Sequence, residues 1–227
     1  MRYLKFKSLG FIILFAILIL SNLFAQEAEP NRWEQAIQKF EAADKLNPPQ
    51  QGCLLFVGSS SVRMWKSLSD DFPFTNILNR GFGGSEMSDL LFFAHRIIIP
   101  YKPQKIFIYE GDNDIANGKS PETISNDFVK LEKVIRKELP DVPTFLIAAK
   151  PSPSRWKWEK EYKETNKLFN NYIEGNKALN LQFIDVFTAM LGKDGKPRPD
   201  IFLKDQLHLN EKGYKLWKNL IEPELRR

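Results

Sequence analysis

Short apolar runs alternate with longer amphipathic stretches along the sequence after residue 50. A short run without polar interruptions is typical of a strand that is buried on both faces of a sheet. Five runs are predicted as strands: Cys53–Val57, Thr75–Leu78, Lys105–Glu110, Thr144–Ala149 and Gln182–Val186. Because the stretches between them are long enough for crossover helices, the sequence predicts an α/β fold with a five-stranded, mainly parallel sheet.

Helical periodicity fills the stretches around these runs. Six helices are predicted: Arg32–Leu46, Val62–Leu68, Ser85–Ile99, Pro121–Leu139, Glu159–Asn176 and Glu211–Leu225. Ser120 precedes a proline and is expected to cap its helix, and Asn210 is expected to cap the last one. Ligands of parallel sheets bind beyond the carboxyl ends of the strands, so residues that follow the runs are candidates for a functional site.

The first 25 residues have the pattern of a secretory signal peptide. Three Lys and Arg residues precede an apolar run, Leu9–Leu20, and the segment closes at Ala25. The run is short for a membrane span, which favours cleavage and export over the alternative, an uncleaved anchor. The predicted organisation is a signal peptide at 1–25, an N-terminal helix and linker at 26–50, and one domain at 51–227.

Composition and charge narrow the possible partners. Of the 227 residues, 43% are apolar and 27% are charged, which suits a domain with a sizeable core. Residues 1–25 supply three units of the formal net charge of +5, and no basic cluster with interleaved aromatic residues indicates a nucleic-acid partner. No integral membrane partner is expected. Cys53 is the only cysteine, so the chain forms no internal disulfide, and this residue is expected to pack as a small hydrophobe.

The candidate chemistry lies in four segments, three of which directly follow predicted strands: Gly58–Ser61, Asn79–Ser85, Glu110–Asp114 and, after a long loop, Asp205–His208. A serine hydroxyl becomes a nucleophile when an imidazole removes its proton. A carboxylate that holds the other ring nitrogen orients the imidazole and stabilises its charged form. Backbone N–H groups of a glycine-rich turn and an asparagine amide can stabilise an oxyanion. Together the segments predict acyl transfer.

The order and content of these segments resemble the SGNH hydrolases, the esterase and lipase superfamily that is also called GDSL-like. The resemblance covers residues 53–214. It implies that Ser60 is the nucleophile, that His208 is the base, and that Asp205 orients this histidine. It also implies a flavodoxin-like three-layer sandwich and a reaction that needs no metal and no cofactor.

The resemblance also assigns an oxyanion hole, and the sequence departs from the family pattern at two positions. The implied donors are the backbone N–H groups of Ser60 and Gly84 and the side chain of Asn113. Ser59 stands where the family has an aspartate, and Asp112 stands where threonine is commoner. Asp112 is expected to place negative charge near the site and so to favour a polar acyl-sugar over an anionic lipid.

Three further substrate contacts are predicted from position. Trp156 and Trp158 follow the fourth strand at the edge of the sheet where the site is expected, and they are candidates for stacking on a sugar ring. Packing against their own helix is the alternative for both tryptophans. Arg80 precedes the glycine run and is expected either to line the pocket or to bind a loop carboxylate.

Other residues compete for the catalytic roles. Ser59 and Ser61 are alternative nucleophiles, and Asp185 is an alternative acid. His95, the second histidine of the chain, is expected to be structural or solvated on its helix. The acidic run Asp112–Asp114 is a candidate metal site, but it lacks the further ligands that a hard cation requires.

The sequence therefore predicts an exported serine esterase that acts on an oxygen ester of a small molecule or glycan, with a short acyl group such as acetyl on a carbohydrate preferred. A lysophospholipase or thioesterase would use the same residues. A carbohydrate O-acyltransferase would use them too, with a sugar hydroxyl in place of water. A non-catalytic glycan-binding protein is the alternative from another class, and the presence of all five site residues argues against it.

Overall fold

The computed structural model describes residues 32–73 and 75–225. The chain divides into two compact units, residues 1–34 and 35–227, and only residues 32–34 of the first unit are described. The predicted signal peptide at 1–25 lies outside the described residues. Within the described part of the chain, none of the helices combines the length and the hydropathy that crossing a bilayer requires.

Five parallel strands form one sheet in the order β2-β1-β3-β4-β5. The strands are β1 (Leu54–Gly58), β2 (Ile77–Gly81), β3 (Lys105–Tyr109), β4 (Thr144–Ile147) and β5 (Leu181–Ile184). The chain adds β2 on one side of β1 and the later strands on the other side, so the strand order reverses beside β1. Sheets of this type place their ligand sites at such a reversal. The predicted parallel α/β architecture is confirmed.

The helices cover both faces of the sheet. They are α1 (Glu34–Leu46), α2 (Ser60–Arg63), α3 (Leu68–Asp71), α4 (Met87–Ile97), α5 (Asp112–Ala116), α6 (Pro121–Glu138), α7 (Glu159–Gly175), α8 (Val186–Ala189) and α9 (Glu211–Leu225). Both predicted caps are confirmed. Ser120 Oγ accepts from Thr123 N at 3.2 Å, and Asn210 Oδ1 accepts from Lys212 N at 2.9 Å.

The predicted helix Val62–Leu68 is wrong, because two short helices, α2 and α3, occupy this stretch. Trp65 lies between them and is buried against Trp217, and its indole N–H donates to Asp71 Oδ2 at 2.7 Å. Positions six residues apart in a continuous helix are separated by about 120° around the axis and about 9 Å along it, so this hydrogen bond requires a break.

Val186 is also not the end of a strand. Asp185 Oδ1 accepts from Thr188 N at 2.9 Å, which caps α8 and ends the extended segment.

Aromatic rings align the three central strands. Phe56, Phe107 and Phe145 occupy paired positions on β1, β3 and β4, and their stacked ring centroids are 4.5 and 4.7 Å apart. Offset-stacked pairs of this kind add about 0.5–1.5 kcal/mol each beyond the area that they bury. Cys53, the residue before β1, is buried, and burial raises the pKa of its thiol. This agrees with the prediction that it packs as a small hydrophobe.

Gly58 joins the carboxyl ends of three strands. Its carbonyl accepts from Phe82 N at 2.8 Å, and the next residue, Ser59, donates its N–H to Tyr109 O at 3.1 Å. Gly58 has a φ of 133°, and a Cβ at this position would lie 2.0 Å from Tyr109 O. Both the positive φ and the absence of space exclude any larger residue.

We expect Gly58→Ala to lower the free energy of unfolding by at least about 3 kcal/mol, because backbone strain and overpacking act together. Urea unfolding measures the loss. Gly195→Ala is the matched control, since Gly195 has a φ of 74° but no atom lies within 4 Å of the position that a Cβ would take, and its loss should be about 1 kcal/mol. Equal losses in the two variants would show that the contact with Tyr109 is unimportant.

Candidate active site

Ser60 is the first residue of α2, directly after the carboxyl end of β1. Its Oγ lies 3.1 Å from His208 Nε2. Ser59 and Ser61 are each 1% exposed, whereas Ser60 is partly exposed. Of the three adjacent serines, Ser60 is therefore the one that combines solvent access with an imidazole partner.

Asp205 holds the other side of the imidazole. Its Oδ2 lies 2.6 Å from His208 Nδ1, and its Oδ1 accepts from Leu207 N at 2.9 Å and from His208 N at 3.0 Å. The carboxylate thus serves as both the capping group of this turn and the partner of the histidine. Asp185 caps α8 instead and is not at this site.

Hydrogen bonds determine the charge of Asp205. Partial burial opposes ionisation, but the hydrogen bonds from the ring and backbone of His208 and from the Leu207 N–H outweigh it and lower the pKa of Asp205 to about 2. At neutral pH this carboxylate is ionised and accepts a hydrogen bond from the Nδ1–H of the imidazole. Nε2 is then the ring nitrogen with a lone pair for the Ser60 hydroxyl.

His95 lies elsewhere. It is exposed on α4 and lines a surface groove of about 460 Å³ together with residues of α1, the Pro48–Gln51 segment, Pro100 and Tyr101. None of the groove's lining residues belongs to the group around Ser60.

The glycine-rich turn between β2 and α4 packs closely against α2. A Cβ on Gly81 would lie 2.3 Å from Arg63 N, and one on Gly83 would lie 2.5 Å from Arg63 Nε. Gly84 has a φ of 84°, in the region that favours glycine. The absence of side chains lets this turn approach the helix that begins with Ser60.

Asn113 lies in the first turn of α5 and is tied to the glycine-rich turn. Its Nδ2 donates to Ser85 O at 2.9 Å, and its Oδ1 accepts from Arg155 Nη1 at 3.1 Å. The structure thus contains two hydrogen-bonded groups. In one, Ser60 bonds His208, and in the other, Asn113 bonds Ser85, the residue after Gly84. The oxyanion-hole roles remain predictions.

Asp112 faces a buried cluster and is 5% exposed. It accepts from Lys150 Nζ at 2.8 Å, from Arg155 Nη1 at 2.8 Å, from Tyr109 OH at 3.3 Å and from Tyr162 OH. Burial opposes ionisation, but the charges of Lys150 and Arg155 outweigh it and hold the pKa of Asp112 well below its usual range. The expected negative charge is therefore present but paired, and this placement gives no support to a substrate contact by Asp112.

Arg80 is 8% exposed and contacts α1. Its Nε donates to Tyr101 OH at 2.7 Å, and its guanidinium forms an ion pair with Asp44. Of the two roles expected for Arg80, binding a carboxylate is the one that the structure shows, although the carboxylate belongs to a helix and not to a loop.

Trp156 and Trp158 lie in a 3₁₀ segment, Pro153–Trp158, and both are partly exposed. Trp156 stacks on Phe187 with ring centroids 6.2 Å apart. Ser154 N donates to Gln206 O at 3.1 Å, so this segment adjoins the turn that holds His208. The two tryptophans are placed near the site, and contact with substrate remains a prediction.

Two cations at the site, Lys150 and Arg155, were not predicted from the sequence. Both lie shortly after the carboxyl end of β4, in residues 150–158, which also include Trp156 and Trp158. The sequence contained one signal for them. Lys150 and Arg155 follow one predicted strand, and Asp112, an aspartate without an assigned partner, follows the neighbouring strand. Among residues 32–73 and 75–225, no group of three or more His, Cys, Asp or Glu side chains could hold a metal ion.

Two other acids of the Glu110–Asp114 segment are buried. Glu110 accepts from Ser85 Oγ at 2.6 Å, and burial together with the charge of Asp114 raises its pKa well above the usual range. Asp114 accepts from Met87 N at 3.1 Å and from Lys119 Nζ at 3.1 Å. Burial raises the pKa of Asp114 to about 6, with Lys119 partly offsetting the effect.

We expect Asp114→Asn to flatten the pH dependence of stability between about pH 4 and pH 6. The folded protein binds this proton more tightly than the unfolded chain does. The contribution of Asp114 to the free energy of unfolding is therefore full below about pH 4 and is lost as pH rises through about 6. The loss in the wild type amounts to about 2–3 kcal/mol and is measured by urea unfolding across this range.

Exposed Asp141→Asn is the control for removing one carboxylate. Parallel pH profiles for the wild type and Asp114→Asn would contradict the expectation.

Comparisons with known proteins identify the family of this chain. The family model for the GDSL-like lipase/acylhydrolase family matches residues 51–216. A solved structure of a GDSL-like lipase from Bacteroides thetaiotaomicron is 16% identical with a TM-score of 0.71, and the match covers 84% of this chain and 97% of that chain. A variant of an acetyl xylan esterase from Geobacillus stearothermophilus is 16% identical with a TM-score of 0.59, covering 77% of this chain and 95% of that chain. A search of curated proteins found no match.

At these identities the two solved structures show a shared fold alone, and the family match shows the relationship. Because that match spans most of the chain, this protein belongs to the GDSL-like lipase/acylhydrolase family and is a carboxylic ester hydrolase, which confirms the predicted SGNH resemblance.

Proposed function

We propose that the protein is an exported serine esterase whose catalytic triad is Ser60, His208 and Asp205. The observation that carries the proposal is the continuous hydrogen-bonded chain from the Ser60 hydroxyl through the imidazole to the carboxylate, with distances of 3.1 and 2.6 Å. Nucleophile, base and orienting acid are the three parts that covalent ester hydrolysis requires.

In the first half of the reaction, Ser60 Oγ attacks the ester carbonyl carbon while His208 Nε2 takes the hydroxyl proton. Asp205 stabilises the imidazolium that forms. When the tetrahedral intermediate collapses, the imidazolium gives its proton to the leaving alcohol oxygen and an acyl-enzyme remains. A water molecule then gives a proton to His208 and attacks the acyl carbon. When the second tetrahedral intermediate collapses, the imidazolium returns this proton to Ser60 Oγ and the carboxylic acid is released.

The oxyanion hole is proposed to consist of the backbone N–H groups of Ser60 and Gly84 and the side-chain amide of Asn113. As the first residue of α2, Ser60 has an N–H group without an acceptor inside its own helix. The positive φ of Gly84 and the fixed amide of Asn113 support the other two donors. Such donors stabilise the charge that develops on the carbonyl oxygen, which is where electrostatic catalysis contributes most.

A short acyl group on a carbohydrate is the proposed substrate class. A long acyl chain requires an extended apolar surface, and the described residues include three strongly exposed large apolar side chains, Leu46, Phe92 and Leu203, on separate elements. Partly exposed Trp156 and Trp158 beside the His208 turn suit a sugar ring. The shared fold with an acetyl xylan esterase and the signal-like residues 1–25 are consistent with this proposal.

We expect Ser60→Ala and His208→Ala each to lower kcat for nitrophenyl acetate by at least about 1000-fold, because each removes an essential part of the triad. Initial rates on purified proteins measure the loss, and circular dichroism verifies folding. His95→Ala is the matched control, and its activity should stay close to that of the wild type. Undiminished turnover by Ser60→Ala would overturn the triad.

Chain-length preference tests the substrate class separately. Across nitrophenyl esters from acetyl to long acyl, we expect kcat/KM to be highest for acetyl and to fall by about 100-fold or more at eight carbons and beyond, since the exposed large apolar side chains among the described residues lie on separate elements. Acetate release from an acetylated oligosaccharide is the companion measurement. A maximum at long acyl chains would remove the carbohydrate proposal and leave the triad intact.

A further inference from the structure

Both ends of the Asn113 amide are fixed by groups of opposite character. Its Oδ1 accepts from the Arg155 guanidinium at 3.1 Å, and its Nδ2 donates to the Ser85 carbonyl at 2.9 Å. Turning the amide over would place its NH₂ against the guanidinium donor and its oxygen against a carbonyl oxygen. One orientation is therefore strongly favoured, and in it the second N–H of Nδ2 stays available for another acceptor.

Arg155 is itself held in place. Its Nη1 donates to Asp112 Oδ1 at 2.8 Å and to Asp112 O at 3.0 Å as well as to Asn113. The other carboxylate oxygen of Asp112 accepts from Lys150 Nζ at 2.8 Å. Lys150 is 1% exposed and Asp112 is 5% exposed, whereas the Arg155 side chain is 18% exposed, so the cluster is largely but not fully removed from water.

The charges of this cluster do not cancel. Lys150 and Arg155 contribute two positive charges and Asp112 contributes one negative charge, so the cluster carries an excess positive charge. Charges that are largely buried are screened less than charges at the surface, and the potential of the cluster extends to the Asn113 amide, which Arg155 contacts directly. A cation on the amide oxygen also polarises the amide and makes its N–H a better donor.

We propose that Arg155 is a positioning residue for ester hydrolysis: it directs the Asn113 Nδ2–H toward the oxyanion and, with Lys150, polarises the Asn113 amide so that this N–H is a stronger donor. The inference rests on the proposed oxyanion role of Asn113. Arg155 acts through Asn113 and not by touching the reacting atoms, and it is the residue through which the end of β4 contributes to the site.

A double-mutant cycle tests this coupling. We expect Asn113→Ala to lower kcat for nitrophenyl acetate by about 100- to 1000-fold, and Arg155→Met by about 10- to 100-fold with little change in KM. The double variant should lose no more than about threefold beyond Asn113→Ala, because Arg155 has nothing to position once the amide is absent. Multiplicative losses in the double variant, or an unchanged kcat in Arg155→Met, would overturn the inference.

Arg96→Met is the matched control for losing an arginine ion pair. Arg96 forms a two-point pair with Glu41 between α4 and α1, with distances of 2.7 and 2.8 Å. Its variant should change the melting temperature without lowering kcat. A purely structural role for Arg155 predicts the same behaviour for Arg155→Met, so similar results in the two variants would count against the inference.

Arg155→Lys decides the question if Arg155→Met does not fold. The lysine keeps a positive charge beside Asp112, but its side chain is shorter than that of arginine. Its ammonium nitrogen therefore does not reach the position of Arg155 Nη1, the single nitrogen that contacts both Asp112 and Asn113. We expect a folded protein whose kcat is lowered by about 3- to 30-fold at unchanged KM, and no such loss in the Asn113→Ala background. A wild-type kcat in Arg155→Lys together with multiplicative losses would overturn the inference.

Ser60→Ala separates this inference from the proposed function. If Ser60→Ala retains activity, the triad is wrong and the cycle has no meaning for catalysis. If Ser60→Ala is inactive while Asn113 and Arg155 show no coupling, only the positioning role of Arg155 fails.

Discussion

The close contact between Gly58 and the Tyr109 carbonyl determines where the functional groups of this protein meet. At the end of β1, a backbone without a side chain packs directly against the end of β3, and Gly58 also accepts the N–H of Phe82 from the turn after β2. Three strand ends are thereby joined at one point. Ser60 begins its helix two residues later, and α5 with Asn113 begins just beyond Tyr109. A side chain at position 58 would push the ends of β1 and β3 apart, and it would separate Ser60 from Asn113 by about its own width.

The acidic segment after β3 is neutralised in several ways. Three acids in the Glu110–Asp114 segment would oppose the negative charge that develops during ester hydrolysis. Asp112 is paired with two cations, Glu110 is held in its neutral form by burial, and burial also raises the pKa of Asp114 to about 6. Asp205, by contrast, is ionised and lies on the opposite side of the imidazole from Ser60.

Helix α9 holds the two ends of the proposed triad together. Ser60 and His208 are distant in sequence, and the short contacts between them depend on the helix that begins just after the histidine. Tyr214 OH donates to Ser61 O at 3.1 Å, and Trp217 packs against Trp65 with ring centroids 6.0 Å apart. The C-terminal helix therefore fixes the turn with His208 against the turn with Ser60, as well as closing the core.

The sequence by itself determined the parallel sheet and most of its helices, and it predicted five site residues, because apolar runs, caps such as Ser120 and the order of polar segments are local patterns. It left the choice among Ser59, Ser60 and Ser61 to the family resemblance. Tertiary structure distinguishes the three serines independently of the family: it leaves Ser60 partly exposed beside His208 and buries its neighbours, Ser59 and Ser61, which bond β3 and α9. Tertiary structure alone also identified Lys150 and Arg155, since the pairing of two cations with an aspartate about 40 residues away in sequence depends on which strand ends lie side by side.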